Sequence, residues 1–253
     1  MTTTPLVVIV GETGSGKSAL GMDLAQRYNG EIISADSRAI YKGMDIGTAK
    51  PTKADQAQIR HHLIDVLEPN QRFSAANFKK LAEKAIEDIS KRGKLPILVG
   101  GTGLYVDSVI YDFSFSANSE RNLKNPRHAL ISLSDKKLRN DTLIIGLRLE
   151  LNESEVRLKK RVDQMIKTGL VEEIKTLAVK YSPDLESMKG TIYSAFQDYI
   201  KGAISLEEAK KLCVTYDLQF AKKQRTWFKR NKSIHWIANR EQAVELVTTF
   251  LNK

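Results

Sequence analysis

Apolar residues cluster along this chain in short runs separated by stretches of helical period. Leu6-Val7-Val8-Ile9-Val10, Glu31-Ile32-Ile33-Ser34-Ala35-Asp36, Leu95-Pro96-Ile97-Leu98-Val99 and Thr142–Leu149 read as strands. His61–Val66 adds a short one, stopped by the turn Glu68-Pro69-Asn70. Between the first two runs, Ala19 to Tyr28 reads as a helix. Phe78, Leu81, Ala82, Ala85, Ile86 and Ile89 predict another from Ser74 to about Lys91, closed by Arg92-Gly93-Lys94. Asn152 with Glu155, and Ser205 with Glu208, have the spacing of capping boxes. The second opens a long helix expected to bury Ala209, Leu212, Cys213, Tyr216, Phe220 and Trp227. Strands alternating with helices predict an α/β protein, a P-loop-type parallel sheet flanked by helices, with a helical C-terminal part. Residues 112–125 read as a connector.

The first strand runs into Gly11-Glu12-Thr13-Gly14-Ser15-Gly16-Lys17-Ser18, and a helix follows. That is G-x-x-x-x-G-K-S in the strand–loop–helix context a phosphate loop requires. Backbone N–H groups converge on a phosphate, Lys17 adds a point charge, and the Ser18 hydroxyl suits Mg2+. Asp36 ends the second strand, where open α/β sheets place their ligand crevice, and Gly100-Gly101-Thr102-Gly103 forms a second Gly-rich turn at the same edge. The long segment from Ser37 to Pro51 has the length of a functional loop. His61 and His62 cannot converge on one metal from a strand and read as structural.

Charge sharpens this picture. The 253 residues carry a net charge of +10, and between positions 201 and 232 nine Lys/Arg oppose three acids. A polyanionic partner, nucleic acid, fits a phosphate-binding protein with such a segment. Lys222, Arg225 and Lys229 make a basic stripe on the last long helix, and Arg157, Lys160 and Arg161 crowd the early turns of another. A plain solvated face remains the alternative for both groups. Cys213 is the one cysteine, which excludes an internal disulfide and a cysteine metal cluster. No apolar stretch approaches the roughly 20 residues of a membrane span, and Met-Thr-Thr-Thr-Pro has no signal-peptide character, so a cytoplasmic protein is expected.

Several of these stretches together resemble the tRNA dimethylallyltransferase (tRNA isopentenyltransferase) family. They are the phosphate loop, Ile32–Ser37, Ile40–Pro51 with its Asp45-Ile46-Gly47-Thr48-Ala49-Lys50-Pro51, and His61–Asp65. Phe73–Phe78, Leu98–Tyr105, Arg157–Glu173 and Ala221–Phe228 complete the resemblance, which spans most of the chain. It implies transfer of a dimethylallyl group from dimethylallyl diphosphate to N6 of the adenine 3′ of the tRNA anticodon. In such an enzyme Gly11, Thr13, Gly14, Ser15, Gly16, Lys17 and Ser18 would hold the diphosphate, with Mg2+ on Ser18. Asp36 would be the general base, Thr102 would orient the adenine, and Lys17 would stabilise the leaving group. The resemblance further implies tRNA contacts at Asp36, Ser37, Arg38, Ala39, Thr102, Arg127, Arg157, Arg161, Lys222, Lys223, Gln224 and Arg225, and a monomer.

The chain departs from the family pattern in three places. The family carries a long helical insertion that grips the anticodon stem-loop; here 1–111 and 141–253 would form the core and 112–140 only a short connector. Asp217-Leu218 stands where the family has Thr-Arg, and Thr191-Ile192-Tyr193 where it has Ile-Gly-Tyr. The phosphate loop alone also fits a small-molecule kinase, and the departures also fit a catalytically degenerate RNA- or diphosphate-binding paralogue.

Overall fold

The computed structural model describes residues 4–111, 137–149 and 151–252. Its strands are β1 (Leu6–Gly11), β2 (Gly30–Ser34), β3 (His61–His62), β4 (Leu95–Gly100), β5 (Thr142–Leu147) and β6 (Ile234–Ile237). They pair in the order β3-β2-β4-β1-β5-β6, and every pairing is parallel. The helices are α1 (Lys17–Arg27), α2 (Lys53–Gln58), α3 (Ala75–Lys91), α4 (Gly103–Ile110), α5 (Leu151–Lys167), α6 (Leu170–Lys180), α7 (Thr191–Ile200), α8 (Leu206–Phe228) and α9 (Arg240–Leu251).

The unbroken apolar strands follow from burial on both faces. Val7 and Ile9 point into a core closed by α1 and α9 through Leu20, Leu24, Ala243 and Val247. Leu6, Val8 and Val10 point the other way, into a larger core shared with Phe78, Ile89, Val106, Leu158, Phe196 and Phe228. Among the described residues the sheet therefore carries helices α1 and α9 on one side and a thick helical layer on the other.

The structure redraws four details. The third strand stops at His62 because Leu63 and Asp65 take positive φ (61° and 55°), which no strand accommodates. Asn152 lies within α5 rather than capping it. Phe220 is 38% exposed, whereas the buried ridge of α8 includes the polar Asp217 and Gln224. Strand β6 and helix α9 were not expected at all. The Ser205–Glu208 capping box is present as read, and a second forms between Ser74 and Asn77. The residues read as a connector, 112–125, lie outside the described residues, as does most of the wider 112–140 span; residue 139 donates its N–H to Ile110 (2.7 Å). Among the described residues no helix is long and apolar enough to cross a membrane.

Candidate active site

Chain direction brings the carboxyl ends of β1, β2 and β4 to one edge, and the loops that leave them meet there. After β1, Gly14 and Gly16 take φ of 82° and 89°, a conformation only glycine adopts freely, and the loop wraps back on itself. The Glu12 carbonyl accepts the N–H of Ser15 (3.1 Å) and the ammonium of Lys17 (3.1 Å). Thr13, Gly14, Gly16, Lys17 and Ser18 line a crevice of about 530 Å³, and Asp36, Ala39, Lys50, His61 and Arg161 also line it. Gly11 and Ser15 sit behind that lining: both are buried, and a Cβ on Gly11 would run into the Ser15 hydroxyl. They shape the loop from within. Burial of the Lys17 ammonium lowers its pKa to about 8, opposed by Asp36 and reinforced by Arg161.

Asp36 stands just past β2. Its Oδ1 accepts the N–H groups of Arg38 (2.8 Å) and Ala39 (3.3 Å), which fixes the carboxylate through one oxygen. Thr102 comes from the turn after β4, donates its N–H to the Ala35 carbonyl (3.2 Å) and accepts the N–H of Ser37 on its Oγ1 (3.1 Å). A second crevice of about 390 Å³ shares Thr13, Asp36, Thr48 and Arg161 with the first and adds Ser37, Arg38, Thr102 and Lys223. Asp36 thus borders both spaces. The Arg38 guanidinium, which lines the second crevice, donates to the Glu186 carbonyl.

The Asp45–Pro51 segment forms a wall of these crevices because two side chains hold it in shape. The Lys50 side chain is only 2% exposed, and its ammonium bonds Asp45 (2.6 Å), Asp65 (2.6 Å) and the Tyr41 carbonyl (2.8 Å). From α6, Glu173 accepts the N–H groups of Asp45 (2.8 Å), Ile46 (2.7 Å) and Gly47 (2.9 Å) and the hydroxyl of Tyr193 (2.8 Å). Lys50 and Glu173 appear in the sequence only as members of recognisable stretches. Nothing in their local pattern marks them as the struts of a loop.

Helix α8 gives two of the residues expected to touch tRNA, Gln224 and Arg225, partners within the protein, while Gln224 also lines the second crevice. Gln224 is 6% exposed and faces inward: its Oε1 accepts the N–H (2.9 Å) and hydroxyl (3.2 Å) of Thr13, and its Nε2 donates to the Gly101 carbonyl (3.0 Å). It ties the two Gly-rich turns together. A Cβ at Gly101 would run into Gln224, and one at Gly103 into the Trp227 ring, so these glycines are the close approach of backbone to α8. The Arg225 Nε donates to the buried Glu12 carboxylate at 2.6 Å, which commits it to the phosphate loop rather than to a surface stripe. Lys222, Lys223 and Lys229 remain exposed. Arg161 reaches the crevices, whereas Arg157 lies on the outside against Glu153 (3.4 Å). Arg127 falls outside the described residues. Trp227 donates its Nε1–H to Asp107 (2.8 Å), whose pKa burial pushes up to about 6.

Comparison with known proteins adds to this geometry. A family model described as IPP transferase matches residues 39–137 and 123–231. The tRNA dimethylallyltransferase of Pelotomaculum thermopropionicum is 38% identical over 283 aligned positions, covering 92% of this chain and 90% of that protein. The alignment is longer than this chain's 253 residues, so that relative carries residues without a counterpart here. Among solved structures, the full-length tRNA isopentenylpyrophosphate transferase from Bacillus halodurans superposes with a TM-score of 0.84 at 32% identity, covering 99% of this chain and 96% of that one. The tRNA delta(2)-isopentenylpyrophosphate transferase from Staphylococcus epidermidis gives a TM-score of 0.83 at 36% identity and 99% coverage of both chains.

Proposed function

The chain belongs to the IPP transferase family, and on that premise we propose that it moves a dimethylallyl group from dimethylallyl diphosphate to N6 of the adenine 3′ of the anticodon in tRNA, releasing diphosphate. It is a prenyl-transferring enzyme of tRNA modification. The observation that carries the reading is the position of Asp36, which borders both the crevice of the phosphate loop and the crevice of Thr102.

The carbon–oxygen bond to the diphosphate breaks with its electron pair leaving on oxygen, while N6 forms the new carbon–nitrogen bond and loses a proton. Negative charge grows on the leaving diphosphate, where Lys17, the loop amides and Arg161 stabilise it. Asp36, held through Oδ1, takes the N6 proton on Oδ2, a contribution of about 100- to 10,000-fold for a well-placed base. Thr102, fixed by Ser37, orients the adenine, which must leave its stack to enter. Mg2+ would take most of its ligands from the diphosphate and water. Bound through the exposed Ser18, it would supply neutralising charge on the diphosphate.

If the residues absent relative to longer relatives belong to 112–140, as the motif spacing suggests, RNA grip would fall largely to the exposed Lys222, Lys223 and Lys229. A tRNA substrate supports a cytoplasmic enzyme, and the protein is proposed to act as a monomer. The test is direct. The protein is incubated with dimethylallyl diphosphate, Mg2+ and bulk tRNA, and the digested nucleosides are searched by mass spectrometry for N6-prenylated adenosine. Unmodified tRNA together with phosphoryl transfer from ATP to a small acceptor would reassign the protein as a kinase.

A further inference from the structure

Asp217 is a carboxylate in the interior of α8, 2% exposed, at a position the reaction above does not use. Its Oδ1 accepts the Thr191 hydroxyl at 2.6 Å. Its Oδ2 is buried, finds no hydrogen-bond partner among the described residues, and lies 3.8 Å from the guanidinium of Arg161. Cys213 and Ala221, one turn to either side on α8, are buried as well. An apolar side chain would fill such a place at lower cost than a half-satisfied carboxylate. Burial raises the Asp217 pKa, with Arg161 and the Thr191 bond opposing the rise.

Arg161 explains the cost. It rises from α5, lines both crevices, and is close enough to Lys17 to help lower that ammonium's pKa. A guanidinium presents five donors in a planar fork, so one edge can rest on a carboxylate while another reaches an anion. The Arg161 side chain is 25% exposed whereas the Asp217 side chain is buried, so an anion entering the crevice meets the cation first.

We propose that Asp217, anchored by Thr191, is a positioning residue that aims the Arg161 guanidinium at the substrate diphosphate. This rests on the crevice being the diphosphate site, and it has a physical opposite. A carboxylate beside an anion site can simply repel the anion, in which case its removal would tighten binding.

Inorganic pyrophosphate binding, measured by calorimetry on the whole chain, separates the two. Asp217→Asn keeps the shape and an acceptor for Thr191 but removes the charge. Its affinity for pyrophosphate should fall about tenfold, the scale of one weakened charge-assisted contact. KM for dimethylallyl diphosphate should rise with it, while KM for tRNA stays put. In an Arg161→Ala background the same substitution should change nothing further. Thr191→Val, which removes only the anchor, should show a smaller loss in the same direction, and it decides the matter if Asp217→Asn does not fold. Unchanged or tighter binding in the variants, or an equal loss without Arg161, overturns the positioning role. A wild-type protein that binds no pyrophosphate would instead overturn the assignment of the crevice.

Discussion

Replacing Gln224 by Met would show whether α8 serves the phosphate loop from inside. Met has nearly the volume of Gln but no amide, so the change removes the acceptor of the Thr13 N–H (2.9 Å) and the donor to the Gly101 carbonyl (3.0 Å). Each backbone group left unpaired in a buried place costs about 1–3 kcal/mol. Thr13 is only half-buried and water can reach it, so the sum belongs near the low end, about 2–3 kcal/mol. For a chain of this size that lowers the melting temperature by about 5–10 °C. The surviving protein should also turn over more slowly, since misplacing a reacting group by about 1 Å can cost roughly a hundredfold in rate. Melting curves and steady-state kinetics with dimethylallyl diphosphate provide the readouts, with exposed Lys222→Ala as the comparison that should leave the melting temperature alone. If Gln224→Met melted like wild type and lost only tRNA affinity, the side chain would belong to the RNA surface, and the coupling of the two Gly-rich turns would be wrong.

Four further outcomes are expected. Asp36→Asn should lose nearly all turnover while still binding dimethylallyl diphosphate; an unchanged rate at saturating substrates would mean that another group takes the N6 proton. In the free enzyme Lys17 is charged below its pKa of about 8 and neutral above it, so pyrophosphate affinity should decline as pH rises through about 8; a flat titration from neutral to alkaline pH would contradict that environment. Lys222→Glu with Lys223→Glu should weaken tRNA binding and flatten its log–log salt slope by roughly two units. Arg225→Ala should instead strand the buried Glu12 carboxylate and lower stability by about 3 kcal/mol, measurable by urea unfolding.

Much of this protein is written locally. The phosphate loop is legible because its glycines, Lys17 and Ser18 act within one turn of chain, and because Leu6–Val10 announces the strand that feeds it. Capping at Ser205 needs only Glu208, three residues on. Asp36 and Thr102 could be placed at a crevice because parallel α/β sheets put strand ends on one edge. The fold class and the edge on which the crevice lies follow from such short-range rules.

What lay beyond those rules is contact between distant segments. Helical period sorted α8 into an apolar face and a basic stripe, and so put Phe220 inside and Arg225 outside, and it gave no place to Gln224. The real buried ridge runs through Cys213, Asp217, Ala221, Gln224 and Phe228, because this face packs on polar loops as well as on apolar core. Gln224 finds Thr13 across 211 residues, and Arg225 finds Glu12 across 213. An amide or guanidinium carries no sign in its own neighbourhood of whether water, RNA or a distant backbone will satisfy it. Sequence therefore determined the strands that carry the crevice, the loop and the edge where they meet. Only packing decided which polar groups of α8 were spent inside, since a buried hydrogen bond depends on what the fold brings opposite it and not on what precedes it in the chain.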